Sequence, residues 1–168
     1  MVGGGHYRAF PDDASITLDD VCLGLRQTGQ QVDCVQWQGG MISNLKVWEN
    51  LLLPAVWRNT QALTVLEQRL ESQLEHLGWP PVQTERWLTS MPGNLADEER
   101  LWALLLRGVF TQVDWILIDP ESWQQLRHHP APLAWVQQQS QLRWVLWRCN
   151  RPENWPELKG SWWHEMAA

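Results

Sequence analysis

The chain has 168 residues, 44% of them hydrophobic and only 19% charged, with a formal net charge of −6. That balance excludes a disordered chain, and the acidic excess argues against nucleic acid as a partner, because a phosphate backbone selects a basic face. No apolar run nears the roughly 20 residues of a membrane span, and the opening Met1-Val2-Gly3-Gly4-Gly5-His6 carries no basic segment followed by an apolar one.

The length suits a single domain, residues 1–168, with a sizeable core. Cys22, Cys34 and Cys149 form no CxxC pair and fit free thiols in a reducing cytoplasm. The chain holds 14 Trp against one Tyr and two Phe. By pattern Trp37, Trp102, Trp115, Trp144 and Trp147 fall in core elements, whereas Trp79, Trp155, Trp162 and Trp163 look exposed.

In chain order, the Gly-rich start gives way to a turn at Pro11-Asp12-Asp13, and Ser15–Leu18 alternates like a strand. Leu23–Gln31 is polar and Gly-punctuated and reads as loop, Val32–Trp37 as a strand, and Gln38-Gly39-Gly40 as a tight loop. Leu45, Trp48, Leu51 and Leu52 then recur at helical spacing, with Asn44 as the cap and Pro54 as a kink or end. A second helix starts at Asn59 or Thr60 and carries the stripe Leu63, Leu66, Leu70, Leu74 and Leu77, with Glu67, Glu71 and Glu75 on another face. Gly78 and Pro80-Pro81 stop it, and the stripe is too short for a coiled coil.

A turn and loop lead to a long helix that opens at Asp97 with Asp97, Glu98 and Glu99 in its first turn, where carboxylates suit the positive end of the helix dipole. Trp115-Ile116-Leu117-Ile118-Asp119 follows, an apolar run ending in a carboxylate. This pattern suits a central strand of a parallel sheet, beyond whose carboxyl end ligands bind. Glu121–Arg127 reads as a short helix, His128-His129 as a solvated loop with no third metal ligand, Leu133–Gln141 as a Gln-rich helix and Leu142–Trp147 as a further buried strand. The tail from Pro152 is Trp-rich, with Lys159-Gly160 as a turn.

The order of the stretch from Leu74 to Glu121 resembles the ATP-binding subunit of ABC transporters, a P-loop NTPase. Leu95-Ala96-Asp97-Glu98-Glu99 falls where that family has its signature Leu-Ser-Gly-Gly-Gln, Arg107 where it has a helix Arg, and Trp115–Asp119 where it has Walker B. The segment Val35–Leu51 resembles the Q-loop and the start of the family's helical subdomain, with Gln38 as the Q-loop glutamine and Gln36 as the competing position. Its Val47-x-Glu49-Asn50 string is similar to members serving MCE- or Mla-type lipid transport.

The resemblance implies an α/β fold: a mainly parallel P-loop NTPase-like sheet flanked by helices, an inserted helical subdomain from about 45 to 92, and a truncated N-terminus, with Gly3-Gly4-Gly5 either a relic of the P-loop or the trace of the truncated start. It also exposes what is missing. No G-x-x-x-x-G-K-[ST] string exists, and Lys46 and Lys159 are the only lysines. Asp97 and Glu98 replace the signature glycines, Ala96 replaces the serine, and three carboxylates at a helix N-terminus repel phosphate rather than bind it. Pro120-Glu121 inverts the family's Glu-Pro, and Trp147-Arg148-Cys149-Asn150 lacks the switch histidine.

The expectation is therefore a degenerate, non-hydrolysing cassette with no catalytic residue, no metal and no cofactor. Asp119 and Glu121 remain from a degenerate Walker B, and Gln38 and Asp119 are the weak nucleotide-binding candidates. Expected partners are a membrane permease and an intact ATPase subunit or a second copy of the chain, docked through Trp48, Leu52 and Trp57, in the cytoplasm at the inner membrane. Two alternatives remain open: an unusual ATPase that holds Mg-ATP through Asp119, and a Trp-rich protein-interaction scaffold on a P-loop-like core.

Overall fold

The computed structural model describes residues 7–9, 18–57, 62–110, 113–138 and 143–146. By contacts the chain divides into two units, Met1–Gln38 with Val113–Ala168, and Gly39–Gln112.

The first unit is built on a four-stranded sheet in which every pairing is parallel. The strands are β1 (Tyr7–Ala9), β2 (Val32–Val35), β3 (Trp115–Ile118) and β4 (Arg143–Leu146), in the order β1-β4-β3-β2. β3 is paired on both sides: Trp115 stands opposite Val32 and Arg143, and Ile118 opposite Val35 and Leu146. Ile116, Leu117 and Ile118 are accordingly buried, as an unbroken apolar run in a parallel strand should be. Two reciprocal ties set the amino ends of β2 and β3. Gln31 N–H donates to the Asp114 carboxylate at 2.8 Å, and Asp114 N–H donates to the Gln31 carbonyl at 2.9 Å.

Helix α1 (Leu18–Gln27) precedes β2, and it corrects two expectations. Leu23–Gln31 is not loop throughout, and Leu18 begins a helix rather than ending a strand; residues 15–17 lie outside the described residues. The cause is a short stripe. Leu18, Cys22 and Leu25 recur at four and three residues and pack with Val32 and Leu117, while Asp19, Gly24, Arg26 and Gln27 are exposed. Gly29, at φ 81°, ends the helix in the left-handed conformation that glycine tolerates. After β3 come α6 (Pro120–His128) and α7 (Pro130–Gln138), packed on each other, each opened by a proline at its first helical position. His128 is therefore the last residue of a helix rather than part of a loop, and α7 starts three residues before the expected Leu133.

The second unit is helical: α2 (Val47–Trp57), α3 (Leu63–His76), α4 (Pro81–Thr89) and α5 (Asp97–Phe110). α2 packs against the other three. It runs through Pro54 instead of ending there, because Leu51, Leu52 and Ala55 are buried on both sides of the proline and their packing outweighs one lost helical hydrogen bond. Asn44 is not its cap. The N3 residue Glu49 reaches back to the Lys46 N–H at 2.7 Å, half of a capping box.

In α3 the expected stripe holds at Leu66, Leu70 and Leu74, whereas Leu63 is exposed. The helix opens after Ala62; Asn59 and Thr60 lie outside the described residues. It closes at Gly78, φ 67°. Residues 81–89 are helix rather than loop, since Pro80 and Pro81 begin α4 rather than merely stopping α3: a proline at the first helical position removes only an N–H that has no helical partner. α5 is buried almost all round, from Leu101 through Leu106 and again at Gly108 and Phe110.

Candidate functional site

At the carboxyl end of central strand β3, Asp119 leaves the sheet and becomes the N-cap of α6. Its Oδ1 accepts from Ser122 N–H at 2.5 Å, and its Oδ2 accepts from Trp37 N–H at 3.1 Å. Its own N–H donates to the Val35 carbonyl at 3.1 Å, continuing the β2–β3 ladder by one step. One carboxylate thus starts a helix and holds the loop that leaves β2. Gln38, on that same loop, donates from Nε2 to Glu121 Oε1 at 3.3 Å, with both side chains exposed. The two nucleotide-binding candidates, Gln38 and Asp119, and Glu121 of the degenerate Walker B are therefore neighbours at the carboxyl edge of the sheet. Each Asp119 oxygen accepts one backbone N–H, and one oxygen of the exposed Glu121 carboxylate accepts the Gln38 amide. Among the described residues no group of three metal-ligating side chains exists.

Losing the Asp119 carboxylate removes a helix cap and the acceptor that holds the partly buried Trp37 N–H. Asp119→Ala should therefore cost about 2–3 kcal/mol. Asp119→Asn keeps an acceptor for Ser122 and should cost roughly half as much. Urea midpoints of the two variants check the order.

The stretch Leu95-Ala96-Asp97-Glu98-Glu99 lies in the second unit, at the start of α5 as expected. Ala96 N–H donates to Glu99 Oε2 at 3.0 Å, so the helix caps itself with its own N3 carboxylate. Glu99 Oε1 is ion-paired with Arg86 of α4, and the Glu99 carbonyl accepts from the indole N–H of buried Trp87 at 3.0 Å. Leu95 is half-buried, and Asp97 is exposed. One backbone N–H of this helix start is thus held by an internal anion. Arg107, further along α5, donates to the Gly40 carbonyl and so fixes the turn after Gln38, where Gly39 sits at φ 73°.

The proposed docking residues separate. Trp57 is 81% exposed, Trp48 is half-buried, and Leu52 is 2% exposed. Leu52 is thus a core residue on the inner side of α2 and offers nothing to a partner. The position expected for the switch histidine, residues 147–150, lies outside the described residues, as do the glycines at 3–5.

Sequence reasoning missed Asn50. It is 4% exposed, and its side chain secures the loop before α2. Oδ1 accepts from Ile42 N–H at 2.7 Å, and Nδ2 reaches the carbonyls of Ile42, Leu45 and Lys46 at 3.0–3.1 Å. An asparagine at an otherwise buried helix position was the signal available for it.

Cys22 and Cys34 meet between α1 and β2. The Cys34 thiol donates to the Cys22 sulfur, which holds Cys22 below the usual thiol value and, with burial, pushes Cys34 above it. The pair titrates as a unit. Below the ordinary thiol value of about 8.5 the unfolded chain keeps both protons while the folded pair releases one, so stability rises with pH. Above it the folded pair retains a proton that the unfolded chain has lost, so stability falls by up to about 1.4 kcal/mol per pH unit. Urea midpoints from pH 6.5 to about 10, taken as the difference between the parent chain and Cys34→Ala, should show that maximum.

No family model matches the chain, and no curated protein matches it. Solved structures do. An inward-facing, metal-chelate type ABC transporter matches with a TM-score of 0.61 and 16% identity over 90% of this chain and 65% of that one. The dimeric bacterial ABC transporter cassette MJ0796 matches with a TM-score of 0.50 and 17% identity over 80% of this chain and 58% of that one. The dimer of the same cassette in a post-hydrolysis state, bound to ADP and Pi, matches with a TM-score of 0.52 and 13% identity over 89% of this chain and 76% of that one. The chain spans under two thirds of the length of the first two. At these identities the likeness is one of fold: the chain has the fold of ABC transporter ATPase cassettes. Among the described residues no helix is long and apolar enough to cross a membrane.

Proposed function

We propose that this chain is a non-hydrolysing, ABC ATPase-like subunit that works beside a membrane transporter. The observation that carries the reading is the double use of Asp119. At the sheet position where a cassette would hold Mg-ATP, the carboxylate is bound by two backbone N–H groups and serves as a helix cap. Two further features support it. The helix start that resembles the signature is capped by Glu99, and no lysine follows a glycine-rich string anywhere in the sequence. Phosphoryl transfer needs positioned phosphate, a metal and an oriented water, and these features weigh against all three.

On this reading the partners are a membrane permease and an intact ATPase subunit or a second copy of this chain, at the cytoplasmic face of the inner membrane. Exposed Trp57 and half-buried Trp48 belong to the partner-facing surface. The Val47-x-Glu49-Asn50 string supports a transporter of lipid or a related hydrophobic substrate.

A second reading, an unusual Mg-ATP-binding component, is favoured by one observation: Gln38, Asp119 and Glu121 do converge at the carboxyl edge of the sheet. Phosphate release by the purified chain in Mg-ATP separates the two. The first reading expects background only. Turnover above about 0.1 s⁻¹ that disappears in Asp119→Asn establishes the second.

A further inference from the structure

The helical unit contains an open cavity of about 480 Å³ between α2, α3 and α4. That is the size of a small-molecule site rather than a packing defect. Its walls are apolar and aromatic: Trp48 from α2, Leu74 from α3, Trp79 from the turn after α3, and Leu88 from α4. Trp79 is held in place from behind, edge-on to Trp87 at 5.1 Å and to Trp102 at 5.9 Å between ring centroids, so one aromatic wall is preformed.

The charged lining residues are all of one sign: Glu71 and Glu75 of α3 and Glu85 of α4. Among the described residues none of the three carboxylates has an ion pair. Glu67, Glu71 and Glu75 repeat every four residues along α3, so like charges stack on one helix face with no Lys or Arg three or four residues from Glu71 or Glu75 to relieve them. That arrangement opposes the helix it sits on, and a cation in the cavity removes the opposition. Carboxylates beside two indole rings offer ionic and aromatic partners for a cation, while half-buried Leu88 supplies area for an apolar body.

We propose that this cavity binds a small organic cation, an ammonium or guanidinium attached to an aromatic or branched alkyl group. The site is independent of the nucleotide reading, since it uses no residue of the Asp119 edge.

Titration calorimetry of the full chain at low salt tests it with three indoles of one shape: tryptamine as the cation, tryptophol as the neutral control and indole-3-acetate as the anion. Tryptamine should bind one to one and about tenfold more tightly than tryptophol, and indole-3-acetate should give no heat. The double variant Glu71→Gln/Glu75→Gln, altered only at exposed positions, should bring tryptamine down to the level of tryptophol and leave tryptophol unchanged. Trp48→Leu should weaken both.

Three results would overturn the proposal. One is the absence of tryptamine binding at about 10 mM. Another is equal affinity for tryptamine and tryptophol. The third is tryptamine affinity untouched in the glutamine double variant. Binding of a basic peptide in place of tryptamine would make the groove a protein-docking surface and overturn it equally.

Discussion

Trp87→Ala is expected to cost about 3–5 kcal/mol, the largest loss from a single substitution in the helical unit. The side chain is fully buried, and its indole N–H holds the Glu99 carbonyl at the start of α5. It is also one of the two aromatic rings that support Trp79. Truncation therefore leaves a cavity, removes the tie between α4 and the Glu99 carbonyl, and loosens an aromatic neighbour. Trp87→Phe separates the terms. It keeps most of the buried area and loses the hydrogen bond, so it should cost about 1–2 kcal/mol. Urea midpoints give both values. A Phe variant as unstable as the Ala variant would mean that the bond to Glu99, and not the packing, holds α4 on α5.

Asn50→Ala follows, at about 2–4 kcal/mol. The amide fills one buried spot with an acceptor and two donors; when it goes, Ile42 N–H and the Leu45 carbonyl lose it as a partner, while the Ile42 and Lys46 carbonyls keep only their backbone donors. Asn50→Asp tests the donors alone. Its shape is unchanged, but a carboxylate faces three carbonyl oxygens, so the loss should match or exceed that of Ala. Hydrogen exchange at Ile42, the residue whose N–H the side chain accepts, should quicken in both variants. Protection there equal to the parent chain would remove Asn50 from the account of how this loop is held.

The parts legible in the sequence were those where one strong pattern acted alone. β3 announced itself as an apolar run ending in Asp119, and the acidic first turn announced α5 at Asp97. The Leu66-Leu70-Leu74 stripe did the same for α3. What was misread lay where a local signal competed with packing. α1 looks like loop because its apolar stripe is only three residues deep and Gly24 interrupts it, yet Cys22 and Leu25 have Val32 and Leu117 to pack on. Pro54 looks like a stop, but it sits in a helix flanked by buried residues on both sides. Pro80-Pro81 stops one helix and starts another with the same two residues.

At the candidate site the residue types were readable and their use was not. Asp119, Gln38 and Glu121 were identified from resemblance, but that Asp119 also holds the loop leaving β2 depends on Trp37 N–H, more than eighty positions away in sequence. Leu52 shared a helix with Trp48 and Trp57, and only the observed packing sorts it into the core.

The central claim is that the cassette scaffold persists without a grip on phosphate. Titration calorimetry of Mg-ATP into the parent chain tests it most directly. The account predicts no saturable heat up to about 1 mM nucleotide. A one-to-one isotherm in the micromolar range, lost in Asp119→Asn while the urea midpoint stays within about 1 kcal/mol of the parent chain, would contradict it.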